Sequence, residues 1–421
     1  MGKRVLVIGQ GAREHALVWK LAQSPGIEKI YAAPGNAGIA QFADCINLKA
    51  TALSELAELV ERNKIDLTVV GPEAPLMEGL VDLFESRGLR VFGPRANAAE
   101  LEGSKVFTKN LFQKYRIPTA AFAVFDDAGA AKEYIRAQRG QLVVKADGLA
   151  AGKGVVVAPD PETAMQAVDD IMVSREFGTA GEKIVIEECL IGEEVSVFGL
   201  CDGKNVVHMV AAQDHKRIND GDEGPNTGGM GAYSPPPIYT AALKEQVMRE
   251  VMEPVVAAMA AEGRPYTGIL YAGLMITANG PKVLEFNARL GDPEAQVVLP
   301  LLEGDLLPVL DAAIDQKLDT LDIRFAADAC VSVVLASGGY PGNYATAEVI
   351  TGLDTVDSDV LVFHAGTKRR GGEIVTDGGR VLSVVARGTT VRDAVDRVYR
   401  EIPKIRFNRM HYRKDIAYRA L

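Results

Sequence analysis

Strand and helix patterns alternate over residues 1 to about 93, and this alternation limits the possible folds more than any other feature of the chain. The strand patterns "RVLVIG", "KIYAA", "DLTVVG" and "LRVFG" are separated by amphipathic helix patterns at 12–23, 51–63 and about 76–87. Strands that alternate with helices of this length form a parallel sheet with helices on both faces. Ligands of such sheets bind at the carboxyl ends of the strands, so we expect a site at the loops 9–14, 34–38 and 71–76.

Residues 104–325 indicate a second unit, of α+β type. Ser104 is expected to cap a helix that ends before Pro118. Strand patterns within about 120–190 predict a small lid, and a long helix (about 239–262) precedes the strands "GILYAGLMIT" and "KVLEFNARL". Segment 213–237 shows no hydrophobic period and carries both charges, so we interpret it as a loop that contributes to a site.

The pattern changes again at about residue 326. The strand patterns "DACVSVVLASGGYPG", "VLVFHAG" and "RVLSVVARG" precede a helix that is apolar on one face, which indicates a third unit. The predicted fold is therefore α/β and α+β in three domains. These are an N-terminal parallel-sheet domain (1–103), a central domain (104–325) that includes the lid, and a C-terminal α+β domain (326–421).

Composition and charge exclude several classes of function. A net charge of -10 over 421 residues argues against nucleic-acid binding, because phosphate backbones are bound by basic surfaces. No apolar run reaches transmembrane length, and we expect neither a membrane span nor a signal peptide. The cysteines are scattered without a C-x-x-C pair and the histidines lack metal-ligand spacing, which suits a reducing compartment and does not suggest zinc chemistry. We expect a cytoplasmic protein that acts on small molecules.

Two glycine-rich turns look like nucleotide-binding motifs but do not fit them. The stretch "VVKADGLAAGKGV" is not a P-loop, because only three residues separate Gly148 from Gly152, Gly154 replaces the Ser/Thr, and a strand pattern follows. The turn "GQGARE" is not a dinucleotide fingerprint, because Glu14 stands where the third glycine is needed. The amides after this turn could hold a single phosphate, and a tight turn without a ligand is an equally open interpretation.

The stretch "VLEFNARLGDPE" is the sharpest chemical signal. Side chains at i and i+2 of a strand share a face, so Glu285, Asn287 and Arg289 are expected to point together. A carboxylate and an amide oxygen suit Mg²⁺, which takes further ligands from water and substrate phosphates, and an arginine beside them could neutralise a transferred phosphoryl group. The alternative is an edge strand with a solvated polar face, which the apolar Phe286 and Leu290 make the weaker interpretation.

Several motifs follow the order that is found in ATP-grasp enzymes. They are "GSK" at a helix start, "VVKADG" at a strand end, a glycine-rich flap, the hinge "EECLIGEE" and the metal strand "LEFN". The loop "DHKRINDGDEGPNTGGMGAYSP", with "GDPEAQ" and "GAREHAL", resembles the glycinamide ribonucleotide synthetases, also called phosphoribosylamine–glycine ligases. The resemblance extends over essentially the whole chain. It departs at Leu290, where the family commonly has Phe, and at "YAGLM", which lacks a further metal carboxylate.

The resemblance implies a role for each matching residue. ATP would be bound at its phosphates, adenine and ribose by Lys105, Lys145, Gly148, Gly152, Lys153, Gly154, Glu187, Glu188, Leu190 and Glu194. Mg²⁺ or Mn²⁺ would be held by Glu285 and Asn287. Catalysis would involve Arg289, Lys216 and Asp292. Glycine and phosphoribosylamine would be contacted by Gly9, Gly11, Arg13, Gly71, Pro72, Glu73, Asp214 and Gly291.

The implied reaction joins glycine to 5-phosphoribosylamine with ATP as co-substrate, through glycyl phosphate, and gives glycinamide ribonucleotide, ADP and phosphate in purine biosynthesis. Such phosphoryl transfer depends on positioning and charge neutralisation, so the sequence needs no obvious enzyme nucleophile. Two alternatives remain at this point. One is another ATP-grasp ligase or carboxylase, and the other is a nucleotide-binding protein without catalytic activity. We expect a monomer.

Overall fold

The computed structural model describes residues 2–148 and 154–421. Gly152 and Lys153, which are expected in the flap over ATP, lie outside the described residues. Within the described part, no helix is both long and apolar enough to cross a membrane.

The N-terminal domain contains the predicted parallel sheet, with strand order β3-β2-β1-β4-β5. Its strands are β1 (Lys3–Gly9), β2 (Ile27–Pro34), β3 (Asp44–Cys45), β4 (Leu67–Val70) and β5 (Val91–Phe92). Its helices are α1 (Ala12–Leu21), α2 (Leu53–Asn63), α3 (Glu73–Met77), α4 (Leu80–Ser86) and α5 (Ala96–Gly103). The central strand β1 is covered on both faces, since residues 5–8 are fully buried.

One predicted helix of this domain is wrong in extent. The pattern at 76–87 predicts a single helix, but the chain forms α3 and α4 with a break between them. Gly79 lies at the break with φ of 84°, a left-handed conformation that ends one helix before the next begins.

The lid is a four-stranded antiparallel sheet with order β6-β9-β7-β8. Its elements are α6 (Lys105–Tyr115), β6 (Phe122–Phe125), α7 (Ala128–Ala137), β7 (Leu142–Ala146), β8 (Val155–Ala158), α8 (Pro161–Val168) and β9 (Ile184–Glu188). Ser104 caps α6 as predicted, because its side chain accepts a hydrogen bond from the Phe107 amide. The lid has its own apolar core, to which Ile135, Val144 and Ile186 belong.

A second antiparallel sheet, with order β11-β10-β16-β17, forms the floor beneath the lid. Its elements are β10 (Glu193–Asp202), β11 (Val206–His208), α9 (Ala241–Val247), α10 (Glu253–Ala261), β16 (Thr267–Thr277), β17 (Gly280–Asn287), α11 (Ala295–Val298) and α12 (Leu306–Ile314). The prediction that Arg289 continues β17 is wrong, since the strand ends at Asn287 and Arg289 lies in a bend. A bulge before Glu285 also shifts the pairing with β16, so simple alternation does not hold along the whole strand.

Segment 213–237 is more regular than its sequence suggests. It contains β12 (Gln213–Asp214), β13 (Arg217–Asn219), β14 (Glu223–Asn226) and β15 (Gly231–Ser234). Strand β15 pairs with the first strand of the C-terminal domain, so the interpretation of an irregular loop is wrong for this part of the chain. The pairing of β15 cannot be detected from the segment itself, because its partner β18 lies about a hundred residues further on.

The C-terminal domain completes a sheet of order β12-β15-β18-β22-β19. Its elements are β18 (Ala329–Ala336), β19 (Leu361–His364), β20 (Thr367–Arg370), β21 (Glu373–Thr376), β22 (Arg380–Gly388) and α13 (Val391–Glu401). Helix α13 packs its apolar face, which includes Val395 and Val398, on this sheet. The sheet therefore joins the segment 213–234 to the C-terminal domain.

Candidate active site

The loops that follow β1 and β4 meet around the carboxylate of Glu14. Its Oε2 accepts a hydrogen bond from the Gly11 amide and its Oε1 accepts one from Arg13 Nε, each at 2.6 Å. A Cβ atom at Gly9 or Gly71 would overlap the Glu14 side chain, so both glycines leave room for it. Because Glu14 already accepts from a helix-start amide, the geometry favours a tight turn over a phosphate site at the start of α1.

Arg289 joins the central domain to the N-terminal domain. Its Nε donates to Glu73 Oε2 at 3.0 Å, and its Nη2 donates to Glu102 Oε1 at 2.9 Å. Burial would lower the pKa of the guanidinium, but the two carboxylates outweigh burial and raise it. Arg13 Nη1 donates to the Leu290 carbonyl at 3.2 Å, so Arg13, Glu73 and Arg289 lie in one group.

Asp292 lies beside this group. Its Oδ1 accepts a hydrogen bond from Gln296 Nε2 at 2.8 Å and is 3.4 Å from Arg380 Nη1. Its Oδ2 would be 3.2 Å from a Cβ atom at Gly11, so the carboxylate faces the first glycine turn. Burial would raise the pKa of Asp292, but the charges of Arg380 and Arg13 lower it, and the group is an ionised carboxylate.

Lys145 and Lys109 share one buried carboxylate. Lys145 Nζ is 3.0 Å from Glu187 Oε1, and Lys109 Nζ is 3.1 Å from Glu187 Oε2. Lys109 Nζ also donates to Thr119 Oγ1 at 2.6 Å. Burial lowers the pKa of Lys109 to about 8, although the charge of Glu187 opposes this shift. Glu187, which is expected near adenine, therefore binds two ammonium groups of the chain.

The expected phosphate-binding lysines surround the expected metal carboxylate. Lys105 Nζ donates to the Gly148 carbonyl at 3.1 Å, at the edge of the described part of the flap. Burial would raise the pKa of Glu285, but the charges of Lys216, Lys145 and Lys105 outweigh burial and lower it. Glu285 is therefore ionised and lies in a positively charged part of the cleft.

Glu285 and Asn287 provide oxygen donors that fit a divalent cation. They lie at i and i+2 near the end of β17, and Glu285 is ionised. In residues 2–148 and 154–421, no group of three or more His, Cys, Asp or Glu side chains could hold a metal ion, at this site or at any other. Two hard oxygen donors suit a cation that takes its remaining ligands from water and phosphate oxygens.

The residues that are expected to contact adenine and ribose lie at the end of β9 and the start of β10. Glu188 Oε1 accepts hydrogen bonds from the Ala121 amide at 2.9 Å and from Lys282 Nζ at 3.1 Å. Leu190 follows β9 and is half-buried, and Gly154 precedes β8. Glu194, which is expected at the ribose, forms an ion pair with Lys216.

Asp214 and Lys216 reach the same cleft from the segment 213–219. Burial raises the pKa of Asp214 to about 7, and the carboxylates of Glu294 and Glu194 add to the shift while Lys216 opposes it. The pKa of Lys216 is raised, because Asp214, Glu194 and Glu285 outweigh its burial.

The end of the chain holds this segment in place. Arg413, whose side chain is fully buried, donates to Asp222 Oδ1 at 2.8 Å and to the Arg217 carbonyl at 3.1 Å. The Ala417 amide donates to His215 Nε2 at 3.0 Å. The position of Asp214 and Lys216 thus depends on residues that lie about two hundred positions later.

Sequence reasoning missed four charged residues of this cleft: Glu102, Lys109, Glu294 and Arg380. Lys109 follows Lys105 by four positions, a spacing that places both on one helix face and could have indicated it. Glu294 is one of the two acids of "GDPE", and Glu102 directly precedes "GSK". Arg380 had no local signal, because it comes from the C-terminal domain and donates to the carbonyl groups of Gly228 and Asp292.

Comparison with known families identifies the family of the chain. Three family models match the chain in order: the phosphoribosylglycinamide synthetase N domain at 3–102, the ATP-grasp (A) domain at 103–295 and the C domain at 330–419. The phosphoribosylamine–glycine ligase of Pseudomonas aeruginosa is 52% identical over 421 residues, which is 99% of this chain and 98% of that protein. That of Halalkalibacterium halodurans is 50% identical over 417 residues, which is 99% of this chain and 97% of that protein.

Solved structures show the same architecture. The crystal structure of phosphoribosylamine–glycine ligase from Thermotoga maritima matches with a TM-score of 0.84 and 32% identity, over 98% of this chain and 100% of that chain. A biotin carboxylase from Campylobacter jejuni matches with a TM-score of 0.76 at 14% identity, over 97% of this chain and 93% of that chain, which shows a shared fold alone. The predicted fold class and family resemblance are confirmed, and the chain belongs to the phosphoribosylglycinamide synthetase family of ATP-grasp ligases.

Proposed function

We propose that this chain catalyses the ATP-dependent ligation of glycine to 5-phosphoribosylamine, giving glycinamide ribonucleotide, ADP and phosphate in de novo purine biosynthesis. Relatives that are about half identical over nearly their whole length are named for this ligation. The observation that supports it best is the set of charges around Glu285, where Lys105, Lys145 and Lys216 face one ionised carboxylate. Such a cleft suits a polyphosphate with a divalent cation.

ATP would lie between the lid and the floor sheet. Lys105 and Lys145 would bind its phosphates, Gly148 and Gly154 would border the flap over them, and the chain from Glu187 to Leu190 would contact adenine. Gly152 and Lys153 belong to the same proposed flap. Glu194 would reach the ribose after release from Lys216, since the two side chains are paired in this structure.

Glu285 and Asn287 would hold the divalent cation, Mg²⁺ or Mn²⁺, because they present a carboxylate and an amide oxygen from one strand. When bound, the cation would neutralise phosphate charge. The lysines around Glu285 would share this task with it.

The ligation divides into two transfers. A carboxylate oxygen of glycine attacks the γ-phosphorus, the bond from that phosphorus to the bridging oxygen breaks, and ADP leaves with the electron pair. The amine of phosphoribosylamine then attacks the acyl carbon of glycyl phosphate, the carbon–oxygen bond breaks, inorganic phosphate leaves, and the amine loses a proton. Arg289 and Lys216 would stabilise the transferred phosphoryl charge, and ionised Asp292 would attract the sugar amine.

The N-terminal loops would hold phosphoribosylamine, through Gly9, Gly11, Arg13, Gly71, Pro72 and Glu73, with Asp214 and Gly291 on the opposite side.

We also propose domain limits at 1–103, 104–325 and 326–421, a monomeric state and a cytoplasmic location. The contact of β15 with β18 makes the limit near 325 a division of the chain but not of the sheet.

Replacement of Glu285 by Ala tests the proposal. ADP release is measured with glycine and freshly generated phosphoribosylamine for the unmodified chain, for Glu285→Ala and for Glu303→Ala, whose carboxylate is exposed. We expect turnover to fall on the order of 100-fold or more in Glu285→Ala, because a metal ligand supports several kcal/mol of charge stabilisation. The control should keep full activity. ADP release by the unmodified chain that requires bicarbonate and not glycine would overturn the assignment, and undiminished activity of Glu285→Ala would overturn the metal site.

A further inference from the structure

An open cavity of about 500 Å³ lies outside the substrate cleft and is used by none of the proposed substrates. Cavities of about 300–1,000 Å³ commonly bind small molecules. We call it the rear cavity, and its lining comes from Ile218, Asn219 and Pro225 of the β13–β14 hairpin, from the glycine-rich loop 338–342 after β18, and from residues 409–411. None of these residues is assigned to ATP, the metal ion, glycine or phosphoribosylamine, so the rear cavity is separate from the site of the ligation.

The walls of the rear cavity are fixed to one another by hydrogen bonds and close packing. His411 Nε2 donates to the Ile218 carbonyl at 2.9 Å, which joins the end of the chain to the hairpin. The backbone of His411 also pairs with Ala336, at the end of β18, through hydrogen bonds of 2.7 and 2.9 Å. A Cβ atom at Gly338 would lie 2.6 Å from the Arg409 carbonyl oxygen, so glycine is needed for this close approach. The rear cavity is therefore formed by the fold before any ligand binds.

The charge of the rear cavity is opposite to that of the whole chain. The net charge of the chain is -10. In the part of the chain that the structure describes, however, the rear cavity is lined by Arg409 and by no Asp or Glu. Arg413 and Arg419 pair with Asp222, whereas Arg409 forms no ion pair with any described carboxylate. A guanidinium that is not neutralised by the protein suits an anion with several oxygen atoms.

Neutral hydrogen-bond donors accompany this guanidinium. Arg409 Nε would be 3.3 Å from a Cβ atom at Gly338, so the arginine side chain lies over the glycine-rich loop. The amides of Gly338, Gly339 and Gly342 donate to no acceptor among the described residues, and the Asn219 side chain lines the same cavity from the hairpin. Backbone amides of a glycine-rich turn beside an arginine are a donor set that suits phosphate.

We propose that the rear cavity binds a phosphate monoester of a small organic molecule. Arg409, Asn219 and the amides of the glycine-rich loop would bind the phosphate. Pro225, Pro341 and Met410 give other parts of the lining an apolar surface, which would contact the organic body of the ester. The volume of about 500 Å³ is much larger than a phosphate ion needs, so an ester fits the cavity better than inorganic phosphate.

The rear cavity borders the substrate cleft through the β13–β14 hairpin. Lys216 comes directly before β13, and Thr227 comes directly after β14. The Lys216 carbonyl accepts hydrogen bonds from the Thr227 amide at 2.7 Å and from the Thr227 hydroxyl at 2.8 Å. A ligand that contacts Ile218 and Asn219 therefore contacts the same hairpin that positions Lys216. The cavity is thus placed to sense a phosphate ester without admitting it to the cleft.

Equilibrium dialysis measures this binding without turnover. The protein is first saturated with Mg²⁺ and a non-hydrolysable ATP analogue, and the probes are AMP, ribose 5-phosphate and inorganic phosphate. We expect at least one of the esters to bind with a Kd below about 1 mM, and inorganic phosphate to bind at least about 10-fold more weakly, because only an ester reaches the apolar walls. Tighter binding of AMP would identify a nucleotide as the ligand, and tighter binding of ribose 5-phosphate would identify a sugar phosphate.

Two matched pairs of variants assign the bound ester to the rear cavity. Arg409→Gln should weaken ester binding there about 10- to 100-fold, the usual effect of losing hydrogen bonds to a charged group. Arg406→Gln, which changes an exposed arginine outside the cavity, should leave it unchanged. Asn219→Asp places a negative charge beside the phosphate and should also weaken binding, whereas Asn226→Asp makes the same change on β14, outside the cavity, and should not.

Ester binding that is unchanged in Arg409→Gln and Asn219→Asp, or that falls equally in Arg406→Gln, would overturn the site. Inorganic phosphate that binds as tightly as both esters would overturn it as well, and so would the absence of ester binding up to about 10 mM. This test is independent of the proposed function. A chain that releases no ADP with glycine and phosphoribosylamine would refute the ligation, while the dialysis result would still decide whether the rear cavity binds an ester.

Discussion

Glu187 holds two ammonium groups with one buried carboxylate, and its replacement by Gln removes the charge while keeping the shape. The side chains of Glu187, Lys109 and Lys145 are 2%, 3% and 7% exposed, and both nitrogen–oxygen distances are close to 3 Å (3.1 and 3.0 Å). In Glu187→Gln the two lysines lose the carboxylate that they share, and the nearest remaining negative charges are Glu285 for Lys145 and Glu188 for Lys109. We expect the free energy of unfolding to fall by about 3–5 kcal/mol at pH 7, the usual cost of removing one partner from a buried ion pair.

Lys109 makes this loss depend on pH. Its pKa is about 8 in the folded chain and near 10.5 when it is exposed, so the unfolded chain binds more protons between these values and stability rises with pH in that window. In the variant, loss of the Glu187 charge should lower the pKa of Lys109 further, so that Lys109 is neutral at pH 7. The unmodified protein keeps this proton at pH 7, one unit below its folded pKa, and the bound proton is worth about 1.4 kcal/mol. At pH 9 the unmodified protein has lost that proton as well. The difference in stability between the two proteins should therefore be smaller at pH 9 by roughly 1.4 kcal/mol.

Urea denaturation at pH 7 and pH 9 measures both quantities. Far-UV circular dichroism is the suitable signal, because the single tryptophan, Trp19, lies in the N-terminal domain and not in the lid. Glu182→Gln is the matched control, since Glu182 is exposed and precedes the same strand, β9. A loss below about 1 kcal/mol at pH 7 would refute the idea that Glu187 compensates two buried charges. A loss of equal size at both pH values would refute the part assigned to Lys109.

Two further predictions concern the histidines and the end of the chain. Burial lowers the pKa of His15 and His208 to about 3 and that of His364 to about 4. As the pH falls, the unfolded chain therefore binds protons before the folded chain does. Each of these histidines should lower the free energy of unfolding by about 1 kcal/mol between pH 6.5 and 5.5. Thermal unfolding measured over this pH range tests the prediction, and an equal pH slope for His208→Gln and the unmodified chain would contradict it. Arg413→Met should lower the free energy of unfolding by about 3–5 kcal/mol and raise the KM for phosphoribosylamine more than that for ATP, because Asp222 loses its buried arginine partner and keeps only Arg419. Equal changes in both KM values would contradict the anchoring role.

The parts of the fold that follow local patterns could be predicted from the sequence. Strands β1, β2, β4 and β5 and helix α2 match their predicted segments, because each shows its own hydrophobic period within a short window. The two-residue strand β3 has no period to detect. The break at Gly79 was missed for a different reason, since the apolar period continues across a residue whose backbone leaves the helix.

The site residues that could be predicted from the sequence are those that lie in short motifs. The strand that carries Glu285 and Asn287, and the lysines at 105 and 145, lie around one cleft as their motifs suggest. The shared face assigned to Arg289 failed, because the strand ends at Asn287 and Arg289 lies in the bend that follows it. Arg289 turns instead toward Glu73 and Glu102, two carboxylates of a domain that no pattern around Arg289 could indicate.

Segment 213–237 shows how contacts with residues distant in sequence determine a structure that a short stretch of sequence does not reveal. Its composition predicts a loop, but β12 pairs with β15 and β13 pairs with β14 inside the segment. Further contacts come from elsewhere in the chain: β18 pairs with β15, Arg413 binds Asp222, and Ala417 binds His215. These partners hold the backbone near Asp214 and Lys216, so the positions of those two side chains depend on contacts with the C-terminal domain. The C-terminal domain is then not a separate addition to the ATP-grasp unit. It is the element that converts a polar, glycine-rich stretch into a defined wall of the substrate cleft.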